Sequence, residues 1–259
     1  MKLYRDHFQN FKRYNIPKAQ LIIADIPYNI GKDAYGSRRE FWKDGRIDSG
    51  VKLLKNKTFF KTDVDFKVPE FMHFASQMLK KEPKRGSNKA GCMIVFCEFL
   101  QQFELIEQAK KYGFNKYINL VFRKNYSPQA LKANQKVLFN SEYGVLFYRD
   151  KLPKFNNDGK MVFNCMDYKK DMITPRIHPN QKSIHVIKRL IEIFSDEGDV
   201  VIDPVAGSGV TLLAAEELGR ESYGFEIEKK FVDAFNENFA KSMQLNFNNY
   251  QGDAKRKIN

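Results

Sequence analysis

Val200-Val201-Ile202-Asp203-Pro204-Val205-Ala206-Gly207-Ser208-Gly209-Val210-Thr211 runs from apolar, through an acid, into a glycine-rich turn. Three β-branched residues halted by a carboxylate are expected of a short strand buried on both faces of a parallel sheet. The apolar spacing from Val210 to Leu218 is helical, so the glycines sit in a strand-to-helix turn. Glycine at 207 and 209 lets a backbone approach a ligand at the carboxyl edge of such a sheet. The next strand, Tyr223 to Phe225, ends at Glu226, 19 positions after Gly207. A carboxylate there can accept hydrogen bonds from ribose hydroxyls. The pattern therefore fits an adenosine-type ligand. A dinucleotide fingerprint requires a further glycine where Leu212 stands, and the Gly-Lys-Ser/Thr of a phosphate loop is absent. A plain tight turn beside a solvated glutamate would share the glycines but would not explain the spacing of the acid.

Working outward, Leu21-Ile22-Ile23-Ala24 is a second buried strand, stopped by Asp25 and Pro27. A helix is expected over 69–81, a strand at Cys92 to Phe96, and a helix over 99–112. Two further strands follow at 117–124 and 142–149, then an irregular stretch over 150–177. A helix over 183–194 has Ile184, Ile187, Leu190, Ile191 and Phe194 at helical spacing, and another helix runs through Phe239. Strands alternating with helices predict an α/β architecture, a doubly wound Rossmann-like sheet. Residues 1–259 are read as one domain, with a basic loop or insertion over 29–65.

The turn Asp25-Ile26-Pro27-Tyr28 also ends a strand, so in a doubly wound sheet it lies on the same edge as Gly207. It offers a carboxylate, a backbone carbonyl and an aromatic face. The exocyclic amine of a nucleobase is a poor nucleophile because its lone pair is delocalised into the ring. An enzyme that alkylates it must accept hydrogen bonds from the amino hydrogens, and Asp25 with the Ile26 carbonyl can do so. Tyr28 can stack on a base flipped out of a duplex. Taken alone, an Asp-x-Pro turn closing a strand is commonplace; its pairing with the glycine loop gives it meaning.

Together these segments resemble the S-adenosylmethionine-dependent DNA amino-methyltransferases that act on adenine N6 or cytosine N4. Asp25-Ile26-Pro27-Tyr28 resembles the family's D-P-P-Y catalytic motif, and Asp203 to Gly209 resembles its D-P-F-x-G-S-G cofactor loop. His178-Pro179-Asn180-Gln181-Lys182 resembles the H-P-T-Q-K element upstream of that loop. Catalytic motif first and cofactor loop last is the circularly permuted order of the β group. The resemblance implies catalytic roles for Asp25, Ile26, Pro27 and Tyr28. It implies S-adenosyl-L-methionine as cofactor, held by Asp6, His178, Gln181, Lys182, Asp203, Pro204, Ala206, Gly207, Ser208, Gly209 and Glu226. Asp6 matches the position of an acid that contacts the cofactor's adenine, with Asp253 as its rival. The chain departs from the family at Ile26, where a proline is lost, and at Val205, where an aromatic wall is lost. Residues 150–177 occupy the place of a target-recognition segment, a short one.

Composition agrees with an anionic partner. Lys plus Arg number 44 against 31 acids, for a net charge of +13. Residues 1–182 carry 35 basic and 18 acidic side chains, a net +17, whereas residues 183–259 carry 9 and 13, a net −4. The stretch 29–62 holds nine Lys or Arg against four acids with interleaved aromatics, which suits gripping of phosphates. Lys32, Arg38, Arg39, Trp42 and Lys43, with Arg123, Lys124 and Asn125 beyond, are the candidate DNA contacts. A solvated flap is the plainer account of any single lysine among them. No run approaches the roughly 18 apolar residues of a membrane span, and the first residues lack a secretory apolar stretch. Three cysteines without a C-x-x-C pair and four scattered histidines indicate neither disulfides nor a metal site. The expected setting is the cytoplasm. The expected activity is transfer of a methyl group to adenine N6 in DNA. Cytosine N4, an RNA base, a protein glutamine and a non-catalytic DNA-binding regulator are the alternatives. The resemblance admits a partner restriction endonuclease or an orphan enzyme, and a homodimer.

Overall fold

The computed structural model describes residues 1–29, 66–85, 89–125, 140–172, 174–178 and 180–239. Its strands are β1 (Lys2–Tyr4), β2 (Leu21–Asp25), β3 (Cys92–Cys97), β4 (Lys116–Lys124), β5 (Ser141–Tyr148), β6 (Cys165–Tyr168), β7 (Val200–Asp203) and β8 (Glu221–Phe225). They form one sheet in the order β1-β8-β7-β2-β3-β5-β4-β6. All neighbours are parallel except where β5 pairs with β3 and β4. The helices are α1 (Val68–Met78), α2 (Gln101–Lys111), α3 (Ile184–Phe194), α4 (Val210–Glu217) and α5, which starts at 229 and is described through 239.

The alternation of side chains along the central strands explains the double layer. Ile22 and Ala24 of β2, with Met93, Val95 and Cys97 of β3, join a core with α1, α2 and a 3-10 helix at Phe8–Arg13. Leu21 and Ile23, with Cys92, Ile94 and Phe96, join a second core under α3 and α4. Both faces are thus covered, and that is why these strands read as unbroken apolar runs.

Two sequence expectations are corrected here. The stretch 150–177 is not wholly irregular: β6 pairs in parallel with β4, Val121 opposite Cys165. The helix expected over 69–81 stops at Met78, because Leu79 turns extended and bridges to Ala19. At the start of the chain, β1 joins β8, with Leu3 opposite Gly224, a pairing the sequence did not announce. Among the described residues no helix is long and apolar enough to cross a membrane.

The chain moves outward from the middle in two directions: β7 leads through α4 to β8, and β2 leads towards β3 on the other side. Between β7 and β2, which pair with Leu21 opposite Val201, the winding reverses. A crevice at the carboxyl ends of strands forms at such a switch point.

Candidate active site

Both signature turns open on that crevice. In the turn after β7, Gly207 and Gly209 have φ of +52° and +73°, the left-handed region that favours glycine. A Cβ on Gly209 would stand 2.3 Å from the ring of Phe235. A Cβ on Gly207 would meet only the His178 ring, at 3.7 Å, so His178 roofs the loop. Its ring lies 4.6 Å from that of Phe231. Burial, then the positive charges of Lys182, Lys230 and Arg176, lower the His178 pKa to about 4, keeping the imidazole neutral.

Glu226 braces the loop. Its Oε2 accepts the Gly207 N–H at 2.9 Å and its Oε1 accepts the Glu228 N–H at 2.7 Å. Each carboxylate oxygen retains acceptor capacity for a ligand hydroxyl. The Ala206 N–H donates to the Phe225 carbonyl at 2.8 Å, tying loop to β8. Asp203, Pro204 and Ser208 are buried beneath. Burial pushes the Asp203 carboxyl up to about 7, against hydrogen bonds from Thr211 and the Val205 N–H.

In the turn after β2, the Asp25 Oδ1 lies 2.8 Å from the Lys182 Nζ. The Tyr28 hydroxyl donates to the same oxygen at 3.4 Å and accepts from Lys182 at 3.2 Å. Burial raises the Asp25 pKa, and Lys182 opposes that rise. Behind Lys182, Glu142 Oε2 stands at 3.4 Å, and its Oε1 is paired with Lys124. Gln101 at the start of α2 donates to the Pro27 carbonyl at 2.8 Å, fixing the turn from below. Where the family pattern has proline, Ile26 is 1% exposed and packed in the core of α1 and α2. Its N–H donates to the Phe96 carbonyl at 3.3 Å, so packing and a hydrogen bond replace the rigidity of the ring. Val205, in place of the loop aromatic, packs against the same core.

Several expected site residues take other positions. Lys182, expected on the cofactor, faces Asp25, Tyr28 and Glu142. Gln181 spends its amide on its own segment, accepting the Ile177 N–H and donating to the Pro175 carbonyl. Asp6 sits on the correct edge, since the Glu226 N–H bonds the Tyr4 carbonyl. Its oxygens are nevertheless taken by the His7 N–H, Asn10 and Tyr14, at 2.7 to 2.9 Å. Lys124, expected on DNA, is 7% exposed and paired inward, because its strand position faces the core. Arg123 is exposed and bonded to Asp167 at 2.7 Å, and Asn125 is exposed. Lys32, Arg38, Arg39, Trp42, Lys43 and Asp253 lie outside the described residues. Glu142 and Gln101 were missed. Glu142 lies in Ser141-Glu142-Tyr143, which resembles part of the family's paired strands but gives it no role in the site, and Gln101 has no signal beyond its place after a strand.

Residues 19–237 match the N6/N4 methyltransferase family described as DNA methylase. The DNA adenine methyltransferase YhdJ of Escherichia coli K12 is 26% identical over 257 residues, covering 89% of this chain and 79% of that protein. The type II methyltransferase M.HpaI of Haemophilus parainfluenzae is 25% identical, over 82% of this chain and 65% of its own length. In fold, the chain is similar to M1.HpyAVI in its complex with SAM (TM-score 0.63, 19% identity, 92% and 98% coverage). It is also similar to the cytosine-N4-specific PvuII DNA methyltransferase (TM-score 0.64, 14% identity, 91% and 84% coverage). With a match spanning most of its length and both signature turns facing one crevice, the chain belongs to the N6/N4 DNA methylase family.

Proposed function

We propose that this protein methylates the exocyclic N6 amine of adenine in DNA, with S-adenosyl-L-methionine as methyl donor. The observation that carries the reading is the placement of Asp25 and the Gly207 loop on adjacent strands at the switch point, one suited to an amine and the other to an adenosyl group. The loop fits that group. Gly207 leaves open a space that a Cβ would enter, His178 covers it as a neutral ring, and Glu226 presents acceptors at the end of β8. Bound there, S-adenosylmethionine supplies an electrophilic methyl: the amine lone pair forms the N–C bond, the C–S pair returns to sulfur, and one amine proton is released.

The chain's own part is to hold the amine. Asp25 Oδ1 is engaged by Lys182 and Tyr28, while Oδ2 receives no hydrogen bond from a described residue. Oδ2 can therefore accept an amino hydrogen and draw the lone pair out of conjugation. Holding the reacting atoms close removes much of the entropic barrier, and no covalent enzyme intermediate is required. Cys97 beside the site is buried and its thiol is pushed up to about 12, so it is unsuited to attack as thiolate. The adenine assignment rests on the likeness to a protein named as an adenine methyltransferase.

The net +17 of residues 1–182 supports a polyanionic substrate met by the half that carries Asp25. The basic stretch 29–65 is proposed as the main phosphate grip. The likeness to a type II methyltransferase supports association with a restriction endonuclease, and a cytoplasmic setting follows from a DNA substrate. Tritiated-methyl transfer to DNA, RNA and protein in parallel, followed by nucleoside analysis, tests the proposal. N6-methyladenine in DNA is the expected product. Label confined to cytosine N4, to RNA or to protein, or no transfer at all, would overturn it.

A further inference from the structure

Lys182 is 6% exposed, and its ammonium group has three hydrogens for three oxygens: Asp25 Oδ1 at 2.8 Å, the Tyr28 hydroxyl at 3.2 Å and Glu142 Oε2 at 3.4 Å. Its charge also lies over the rings of Phe96 and Tyr28, at 5.2 and 5.6 Å. The Tyr28 contact is a hydrogen bond, and the two carboxylates hold the ammonium as ion partners, Glu142 Oε2 falling short of hydrogen-bond geometry. Behind it, Glu142 is held from the other side by Lys124, whose Nζ lies 4.8 Å over the Tyr168 ring. Asp25, Lys182, Glu142 and Lys124 thus form a row of alternating charge leading from the crevice into the sheet, supplied by β2, the segment before α3, β5 and β4.

The row has a chemical consequence at its outer end. A carboxyl accepts an amino hydrogen most strongly when it is ionised and presents a free oxygen; once protonated it is a weaker acceptor and one of its oxygens becomes a donor. Resting on the function proposed above, we infer that Lys182 is a positioning residue for the methyl acceptor, which keeps Asp25 ionised through Oδ1 and leaves Oδ2 facing the incoming amine. Glu142, anchored by Lys124, keeps the ammonium from swinging away. The other ionisable groups around Asp25 are Tyr28, Cys97 from β3 and Asp203 from β7. The charge of Lys182 helps to keep His178 neutral, so no second cation competes with it from that side. Burial and Glu142 disfavour the Asp25 charge, and Lys182 is the cation that answers them, while Asp25 in turn disfavours a charge on Asp203.

The test is the pH dependence of turnover on DNA in the full chain, for wild type and Lys182→Met, with the affinity for S-adenosylhomocysteine measured alongside. In Lys182→Met the acidic limb of kcat should move up by about one pH unit or more. Activity lost at neutral pH, about tenfold, should return as pH rises, and product affinity should stay within about twofold. A merely structural role would lower activity without moving the limb. An unmoved limb, or a loss of product affinity that accounts for the defect, would overturn the inference. Should Lys182→Met fail to fold, nitrogen NMR of the lysine ammonium groups decides, with Lys182 assigned through Lys182→Arg. Its resonance should shift in Asp25→Asn and hold still on adding S-adenosylhomocysteine; the reverse pattern would overturn it. Wild type without DNA methylation would defeat the functional reading itself. Methylation with an unmoved limb would defeat the role of Lys182 alone.

Discussion

Replacing Glu226 by glutamine changes one atom and one charge, yet the geometry makes it a severe change. Both carboxylate oxygens are already acceptors, Oε2 for the Gly207 N–H at 2.9 Å and Oε1 for the Glu228 N–H at 2.7 Å. A glutamine amide has one oxygen, so whichever way it turns, an NH2 faces one of these N–H groups. One backbone donor loses its partner, at a cost of about 1–3 kcal/mol to folding. Any bond from Glu226 to a ribose hydroxyl loses its charge assistance as well. At a difference of about 1–1.5 kcal/mol between a charged and a neutral acceptor, that weakens cofactor binding about 5- to 13-fold. Calorimetric titration of Glu226→Gln with S-adenosylhomocysteine measures the second quantity, and urea unfolding of the unliganded protein measures the first. An affinity within twofold of wild type, with the urea midpoint unchanged, would refute the assignment of Glu226 to the loop and to the ligand together.

Asp25→Ala should lower kcat for methyl transfer about 30- to 900-fold, the range for losing a stabilising contact worth about 2–4 kcal/mol. S-adenosylhomocysteine affinity should be near wild type, and the protein should still fold because Lys182 keeps Glu142 at 3.4 Å; the tritium assay and calorimetry check each part. Gly209→Ala combines left-handed backbone at φ +73° with a Cβ 2.3 Å from Phe235. It should cost about 2–5 kcal/mol by urea unfolding. For Asp203, burial raises the folded pKa to about 7 from an ordinary value of 3.8. The unfolded chain then releases this proton before the folded one does, so its contribution to stability is lost as pH rises from about 4 to 7. Relative to Asp203→Asn, the unliganded wild type should lose at most about 4 kcal/mol over that window, read from urea midpoints at stepped pH.

The parts of the molecule legible in sequence share a physical trait: their signal is local. β2, β3 and β7 are buried on both faces, so their residues are apolar without interruption, and the two turns hold their glycines, acids and prolines in adjacent positions. Ile184 to Phe194 likewise carries its burial in its spacing. By contrast, β1 has three residues and β6 has four, Cys165-Met166-Asp167-Tyr168, too short and mixed to show a period. Their pairing is decided by the sheet edges they join. The charge row drew on residues 25, 124, 142 and 182, and nothing in any one segment tells that Lys124 and Lys182 point inward. Lysine is ordinarily a surface residue, so neither inward position can be read from its own segment. The Asp6 assignment rested on the family's pattern, which says nothing of the neighbours Asn10 and Tyr14 that occupy its oxygens.

The pairing of β1 with β8 joins residues 2–4 to residues 223–225, and the Met1 amino group reaches Glu216 at 2.9 Å. During synthesis the strands β2 to β6 are all available before β7, α4 and β8 exist. The amine-holding half of the crevice can thus gather its sheet early, while β1 must wait for some 220 residues to close the contact, the kind of long-range pairing that slows folding. The donor loop is completed late, and the sheet edge beside it is sealed by β1. A nascent chain would therefore own Asp25 well before it could hold a methyl donor, and competence for transfer would arrive in a single late step.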